Sequence, residues 1–247
     1  MRRSRAANAE NAKCFLNVTA APRSPRNLPA AWDPVQSWRA GRQTWPGSRA
    51  SATNTFFIEL QKIGIYGGTF DPVHHAHLIL ARLALERFAL ERIVFVPTRL
   101  SPHKNDSVAT PEARLQMLRS AIEGEAQFEV DDCELQREPP SYTIDTVEKL
   151  RQKYQGAHLF LLIGDDNLAG LPSWRGFEDL RHMVTFVVLQ RAFTPVVHEY
   201  LSVDRRIDIS ATEIRNRIAS GRSIQYLVPR SVEQIIRTRG LYREVTK

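Results

Sequence analysis

Eleven consecutive residues, Gly67 to His77, combine the residue types that bind and activate phosphate groups. Gly67 and Gly68 have no Cβ, so the backbone there can approach a ligand closely. The segment opens a predicted helix, whose first turn offers unpaired N–H groups and the positive end of the helix dipole to an anion. His74 and His77 are three residues apart and therefore share one face of that turn. The pattern predicts an anion site with two imidazoles aimed at the bound group.

The same residues have plainer interpretations, which stay open at this point. A glycine turn followed by two surface histidines would have the same sequence. A zinc site needs a third protein ligand, and none follows at a familiar spacing, so this interpretation is disfavoured. The glycine pair and the histidine pair occur together in one short segment, and that combination is more specific than either pair alone.

A second anion-binding helix start is predicted near the carboxyl end of the chain. Ser210, Thr212 and Arg215 follow a predicted short strand, residues 207–209, and stand at the start of a predicted helix. Hydroxyl donors, a helix N-terminus and a guanidinium group would converge there on an anion. The alternative is an N-cap serine with an ordinary helix arginine. Two such helix starts in one domain indicate a polyphosphate ligand.

Further residues that could contact a ligand follow the other predicted strands: Lys104, Gly164, Asp166, Trp174 and Arg191. Lys104 supplies a point charge to the ligand or is a solvated loop lysine. The Asp166 carboxylate, reached through Gly164, accepts hydrogen bonds from a ribose, helps to order a metal, or caps a helix. Trp174 is a stacking platform or a core residue, and Arg191 binds an anion or forms a structural ion pair.

Four short apolar runs predict buried strands, at residues 63–66, 93–96, 158–163 and 185–189. Residues with helical periodicity lie between and after them. The alternation of strands and helices predicts an α/β fold, a Rossmann-like doubly wound parallel sheet with flanking helices. Ligands of such sheets bind beyond the carboxyl ends of the strands, where the residues described above stand.

The predicted helices are defined by their apolar faces and their first residues. The first helix carries its apolar face at Leu78, Ala81, Leu85 and Phe88. The second begins with Thr110 as N-cap and Pro111 as first residue, and its apolar face carries Leu115, Leu118 and Ile122. Two more are predicted at residues 143–154 and 231–238.

The chain has 247 residues and a formal charge of +7 at pH 7, and this basic excess lies entirely in residues 1–58. That segment is rich in proline and shows no strand or helix periodicity, so it is predicted to be a disordered basic extension before a domain at residues 59–247. It is interpreted as a targeting segment, a basic binding tail, or the product of a start codon placed too far upstream. The neutral remainder carries no net charge that would attract nucleic acid.

Composition excludes several classes of protein. No run of about 18 apolar residues is present, which excludes a helical membrane protein. Cys14 and Cys133 are the only cysteines and lie far apart in sequence, so neither a disulfide framework nor a Cys-x-x-Cys metal site is available. A reducing, cytoplasmic location fits this cysteine usage.

The segment from Gly67 to His77 resembles the signature of the nucleotidyltransferases with a His-x-Gly-His motif, and in particular the nicotinate-nucleotide adenylyltransferases. Four later segments are similar to motifs of that family, in the same order: residues 97–104, 141–146, 163–174 and 209–215. The resemblance extends over residues 63–242. One position departs from it, because Ala76 stands where the family usually has glycine, at a place where a bound adenine is expected to pass close to the backbone.

The resemblance implies transfer of the adenylyl group from ATP to nicotinate mononucleotide, giving deamido-NAD and pyrophosphate in NAD biosynthesis. It implies that His74 and His77 are catalytic. The residues implied to bind ATP are Gly67, Gly68, Thr69, Phe70, Gly164, Asp166, Ser210, Thr212 and Arg215. Those implied to bind nicotinate mononucleotide are Lys104, Tyr142, Thr143, Trp174 and Arg191. The implied cofactor is Mg²⁺, carried on the ATP phosphates with no protein ligands.

Two other classes of function stay open. The first is another small nucleotidyltransferase, acting on nicotinamide mononucleotide or on pantetheine phosphate. The pantetheine-phosphate enzymes usually have threonine where His74 stands, and they lack the Pro-His-Lys loop and Trp174. The second is a noncatalytic nucleotide-binding protein, or a nucleic-acid-binding protein acting through the basic extension. We expect small-molecule substrates, with no nucleic-acid or membrane partner, and the sequence does not predict the oligomeric state.

Overall fold

The computed structural model describes residues 60–99, 108–191 and 197–243. The predicted basic extension, residues 1–58, lies outside these ranges, and so its disorder and the domain boundary after it stay predictions. Lys104 also lies outside the described residues. Within those ranges, no helix combines the length and the apolar character that crossing a membrane requires.

The described part of the chain forms one six-stranded sheet in the order β3-β2-β1-β4-β5-β6, and every neighbouring pair of strands is parallel. The strands are β1 (Lys62–Gly68), β2 (Arg92–Pro97), β3 (Phe128–Val130), β4 (His158–Gly164), β5 (Thr185–Gln190) and β6 (Leu201–Asp204). The strand order reverses direction between β1 and β4, as in a doubly wound sheet. The predicted fold class is confirmed.

Six α-helices and one 3₁₀ helix connect these strands in the described ranges. They are α1 (His75–Arg87), α2 (Pro111–Ala121), α3 (Thr143–Lys153), α4 (Phe177–Met183), α5 (Ala211–Ala219), α6 (Arg230–Arg239) and the 3₁₀ helix Asp165–Ser173. As predicted, Thr110 caps α2 by accepting a hydrogen bond from the Ala113 N–H at 3.3 Å, and Pro111 follows it. The predicted helices at 143–154 and 231–238 correspond to α3 and α6.

The core consists of two apolar layers, one on each face of the sheet. Alternate residues of a strand point to opposite faces, so Ile93 and Phe95 of β2 pack in one layer while Val94 and Val96 pack in the other. Helices α1, α2, α5 and α6 contribute buried residues to the first layer, and α3 and α4 to the second. This burial on both faces explains why the central strands are continuous apolar runs.

The predicted strand at residues 207–209 is wrong. These residues have no ladder partner, and the strand that precedes α5 is β6, which lies further upstream at the edge of the sheet. Ile207 and Ile209 are apolar because they pack, partly buried, against the first layer. Apolar side chains that pack against a core from an irregular segment give the same short alternation of apolar and polar residues as a strand does.

Candidate active site

Two cavities open at the carboxyl edge of the sheet, where the strand order reverses between β1 and β4. The larger has a volume of about 400 Å³ and the smaller about 140 Å³. Both are lined by Gly67, Gly68 and Thr69 at the end of β1 and by Gly164 and Asn167 at the end of β4. The two cavities therefore adjoin at these shared residues.

The larger cavity brings together the two predicted anion-binding helix starts. His74 and His77 line it from α1, and Ser210, Thr212 and Arg215 line it from α5. The predicted convergence of the two helix starts is thus observed. All residues predicted to bind ATP are among those that line this cavity: Gly67, Gly68, Thr69, Phe70, Gly164, Asp166, Ser210, Thr212 and Arg215. Their roles toward a ligand remain predictions.

Side chains crowd two of the glycines in the shared wall. A Cβ on Gly164 would displace the exposed Asp166 carboxylate, and a Cβ on Gly68 would lie 3.0 Å from the Phe70 ring. A Cβ on Gly67 would instead meet nothing within 4 Å. Gly67 therefore leaves its backbone open on the side from which a ligand can approach.

The start of α5 is fixed to the first motif. Ser210 is the N-cap, since its Oγ accepts a hydrogen bond from the Glu213 N–H at 3.1 Å. Arg215 donates from Nη1 to the carbonyl of Asp71 at 2.7 Å and from Nη2 to Thr212 Oγ1 at 3.1 Å. Ser210 thus has the capping role of the plainer interpretation, and its hydroxyl hydrogen is not used in that bond. Arg215 holds the two helix starts at a fixed separation.

The two histidine rings are stacked at the start of α1, with centroids 3.7 Å apart. His77 Nδ1 accepts a hydrogen bond from the backbone N–H of His74 at 3.2 Å. A neutral imidazole that accepts at Nδ1 carries its hydrogen on Nε2. His77 therefore presents an N–H donor at Nε2, and the contact with His74 fixes which nitrogen holds the proton.

His74 is a neutral imidazole at physiological pH. Its side chain is buried, with 1% exposure. Burial, the neighbouring Arg191 and His75 together lower the pKa of His74 to about 3. His74 Nδ1 is buried and has no hydrogen-bond partner within the described part of the chain. A polar atom left unpartnered in a buried site costs free energy.

Asp71 anchors the segment that follows the glycines. Its buried carboxylate accepts hydrogen bonds from the backbone N–H groups of Val108 and Ala109 at 2.7 and 3.2 Å, and from the Tyr242 hydroxyl at 2.6 Å. Burial and this carboxylate raise the pKa of Tyr242 above its usual value. Val108 and Ala109 are thereby attached beside the larger cavity.

Arg114 is a fully buried cation beside Thr69 and Arg99. Its Nη1 donates to the carbonyl of Thr69 at 2.6 Å, and Nη2 to the carbonyl of Arg99 at 3.5 Å. Burial lowers the pKa of Arg114, and the charge of Asp71 partly offsets that effect. The guanidinium group joins the loop after β1 to the loop after β2.

Arg191 lies beside Asp166 in the wall of the larger cavity. Its Nη2 is 3.6 Å from Asp166 Oδ1, and its backbone N–H donates to Asp165 Oδ2 at 2.9 Å. Both Arg191 and Asp166 line the larger cavity. Arg191 thus lies with His74 in the larger cavity rather than with Trp174 in the smaller one, and it forms the ion pair of the plainer interpretation. Its binding to the mononucleotide stays a prediction.

The smaller cavity contains the aromatic part of the site. Tyr142, Thr143 and Trp174 line it together, as the resemblance implied. Trp174 is half-buried at the end of the 3₁₀ helix and packs partly against the second core layer. The Arg175 guanidinium lies over the Tyr142 ring, with its carbon 4.7 Å from the ring centre.

Several residues in the walls of the two cavities were not predicted from the sequence: Tyr66, Thr98, Glu134, Ser141, Thr146, Asn167 and Arg175. Ser141 and Thr146 belong to the segment 141–146 that resembles a family motif, and Arg175 directly follows Trp174, so the motifs could have identified all three. Glu134 stands in no recognised motif. Nothing in its sequence context indicated that a carboxylate lines this cavity.

Comparison with known proteins agrees with the geometry. The cytidylyltransferase-like family profile matches residues 65–217. The "Probable nicotinate-nucleotide adenylyltransferase" of Geobacillus thermodenitrificans is 40% identical over 185 residues, which cover 73% of this chain and 86% of that protein. The protein of the same name from Shouchella clausii is 42% identical over 189 residues, covering 74% of this chain and 97% of that protein.

Two solved structures share the fold. They are Plasmodium falciparum nicotinic acid mononucleotide adenylyltransferase complexed with NaAD and the same enzyme complexed with APC. Their TM-scores are 0.61 and 0.62 at 18% and 19% identity, and each match covers 74% of this chain and 97% of the other. At that identity the likeness establishes the fold alone. By its relatives at about 40% identity, the chain belongs to the cytidylyltransferase-like nucleotidyltransferases and, among them, to the nicotinate-nucleotide adenylyltransferase family.

Proposed function

We propose that the chain joins the adenylyl group of ATP to nicotinate mononucleotide, with the triphosphate in the larger cavity and the pyridine ring in the smaller one. One observation carries this assignment of cavities. Two helix starts and two imidazoles line the larger cavity, which shares the wall from Gly67 to Thr69 with the aromatic cavity. The phosphate of the mononucleotide and the α-phosphate of ATP would meet at that wall.

The reaction needs no nucleophile from the protein. The mononucleotide phosphate is ionised at neutral pH, and one of its oxygens attacks the α-phosphorus of ATP. The new P–O bond forms as the bond between the α-phosphorus and its bridging oxygen breaks, and pyrophosphate leaves. Catalysis then consists of positioning the two phosphates and neutralising the charge that develops on their oxygens.

His74 and His77 are the donors that we assign to the α-phosphate. Nε2 of His77 holds a hydrogen because Nδ1 is occupied, and the neutral His74 ring lies against it. Arg215 and the N-terminus of α5 bind the outer phosphates, since a cation and free backbone N–H groups meet there. Lys104, outside the described residues, would add a second cation from the loop after β2.

Magnesium enters this scheme as part of the ATP substrate. Within the described residues, no group of three or more His, Cys, Asp or Glu side chains is arranged to hold a metal ion. A magnesium ion on the triphosphate would neutralise phosphate charge and make pyrophosphate a better leaving group. The phosphate oxygens would be the ligands of the ion and would fix its position, with Asp166 nearby.

Trp174 would stack on the pyridine ring in the smaller cavity, and Tyr142 and Thr143 would orient the nicotinate carboxylate. The support is that the three residues line one cavity of aromatic and polar character. We also propose a reducing, cytoplasmic location, supported by the free and buried thiol of Cys133, and substrates that are small molecules rather than nucleic acids.

Pyrophosphate release with ATP and each mononucleotide in parallel tests the proposed function. We expect release with nicotinate mononucleotide at least about tenfold above release with nicotinamide mononucleotide, a difference of about 1.4 kcal/mol in the barrier. Reactions that lack one substrate serve as the control. Equal rates would reject the preference for nicotinate, and no release with either mononucleotide would reject the proposed function.

A further inference from the structure

Glu134 places a buried carboxyl group in the wall of the smaller cavity. The residue is 5% exposed and follows β3 in the chain. Its Oε2 atom is buried and has no hydrogen-bond partner among the residues that the structure describes. A buried carboxyl oxygen without a partner is costly, and it stands beside the space that we assign to the pyridine ring.

The hydrogen bonds around Glu134 fix the roles of its two oxygens. Arg137 Nη2 donates to Thr146 Oγ1 at 2.7 Å, and Thr146 Oγ1 donates to Glu134 Oε1 at 2.7 Å. The other acceptor near this hydroxyl, the carbonyl of Tyr142, is further away at 3.4 Å. Since Thr146 has one hydrogen, Oε1 is an acceptor. Any proton on Glu134 therefore resides on Oε2.

Oε2 has opposite chemistry in the two protonation states. Ionised, it accepts a hydrogen bond and repels a neighbouring carboxylate. Protonated, it donates a hydrogen bond and attracts a neighbouring carboxylate. The substituent of nicotinate is a carboxylate, which only accepts, whereas the carboxamide of nicotinamide also donates. The state of one buried oxygen would thus decide which substituent fits.

The surroundings allow both states. Burial raises the pKa of Glu134, and the hydroxyl of Thr146, the charge of Arg137 and the hydroxyls of Ser141 and Thr98 partly offset that effect. Other titratable or charged groups near it are the buried Cys133 thiol, Tyr142 and Arg175 in the wall of the same cavity, and Asp145 of α3. Asp145 lies 3.9 Å from Arg137 and 4.0 Å from Arg175.

We propose that Glu134 is a specificity-determining residue, whose Oε2 recognises the pyridine substituent by donating to a carboxylate when protonated and accepting from a carboxamide when ionised. This inference rests on the proposed function and extends it to the choice between acid and amide substrates. The preference for nicotinate mononucleotide then falls as the pH rises and Glu134 loses its proton.

The test compares kcat/KM for nicotinate mononucleotide with kcat/KM for nicotinamide mononucleotide from the lowest pH at which the protein stays folded up to about pH 9. Because both substrates carry the same phosphate and use the same ATP, their shared ionisations cancel in the ratio. For the wild-type protein we expect the ratio to fall at least about tenfold over this range. A control variant, Glu148→Gln, changes an exposed carboxylate of α3 and should reproduce that fall.

Glu134→Gln should behave as the permanently protonated form. Its amide oxygen would keep the hydrogen bond from Thr146, and this orientation directs the NH₂ group toward the cavity. We expect its ratio to stay within about twofold of the wild-type value at low pH throughout the range. A ratio that falls equally in the variant and the wild type, or a flat ratio in the wild type, would overturn the inference.

A second measurement needs no variant. Calorimetry of each mononucleotide binding to the wild-type protein, in buffers of different ionisation enthalpy, gives the number of protons taken up. At a pH above the fall in the wild-type ratio, where free Glu134 is ionised, we expect binding of nicotinate mononucleotide to take up more protons than binding of nicotinamide mononucleotide, by up to about one. Equal uptake contradicts the role of Glu134. Turnover of neither mononucleotide contradicts the proposed function itself, so the two failures are distinguishable.

Discussion

Lowering the pH should destabilise this protein through His74. The pKa of His74 is lowered to about 3, from an ordinary value of 6.5. Between these values the unfolded chain binds a proton at this position and the folded chain does not, so stability falls as the pH decreases through that window. Each pH unit below 6.5 lowers the free energy of unfolding by about 1.36 kcal/mol. This residue alone therefore lowers it by about 2 kcal/mol at pH 5.

Urea unfolding near pH 7.5 and near pH 5 measures this effect, with His74→Asn as the comparison because asparagine does not titrate. The free energy of unfolding of the wild-type protein should fall by about 2 kcal/mol more than that of the variant between the two pH values. His182→Asn, an exposed position on α4, serves as the control and should lose as much as the wild type. Equal losses in the free energy of unfolding of the wild type and of His74→Asn would refute the reasoning. They would show that His74 titrates alike in the folded and the unfolded protein.

Three further substitutions follow from the same geometry. His77→Ala removes the Nε2 donor and should lower kcat about 10²-fold or more in a pyrophosphate-release assay with an unchanged circular dichroism spectrum; a rate within a few-fold of the parent would contradict its role. Ala76→Gly should leave the KM for ATP within about threefold and lower the free energy of unfolding by about 1 kcal/mol, because Ala76 is fully buried in α1 and does not line the larger cavity. A large fall in that KM would show instead that the methyl group meets the nucleotide. Arg114→Met should lower the free energy of unfolding by roughly 1–3 kcal/mol, since the carbonyl of Thr69 loses its buried donor; an unchanged urea midpoint would contradict that contribution.

The central part of the fold was predictable because both faces of the sheet are buried. Strands β1, β2, β4 and β5 have apolar residues on each face, and a continuous apolar run between helical segments is typical of a strand in the middle of a parallel sheet. The two edge strands were missed for the opposite reason. β3 has three half-buried residues, and β6 has one buried residue in four, so neither produces a clear pattern.

The candidate site was predictable where the residues stand in motifs at strand ends, and not where charged residues are buried. Arg114 and Glu134 are almost fully covered, yet hydropathy assigns charged residues to the surface. Their burial depends on partners distant in sequence, the carbonyl of Thr69 for one and the hydroxyl of Thr146 for the other. The position of Arg191 in the larger cavity, apart from Trp174, was not predictable, because sequence order identifies the edge of the sheet but not which of two adjacent cavities a residue faces.

The fate of each ATP phosphate tests the proposed mechanism most directly. In this mechanism two helix starts and a pair of imidazoles fix the triphosphate in the larger cavity, so that the mononucleotide attacks the α-phosphorus. The protein would be incubated with nicotinate mononucleotide and ATP radiolabelled at either the α- or the γ-phosphorus, and the products separated. We predict that the α label enters the dinucleotide and the γ label leaves in pyrophosphate. Transfer of the γ label to the mononucleotide, or no α label in any dinucleotide, would contradict the mechanism.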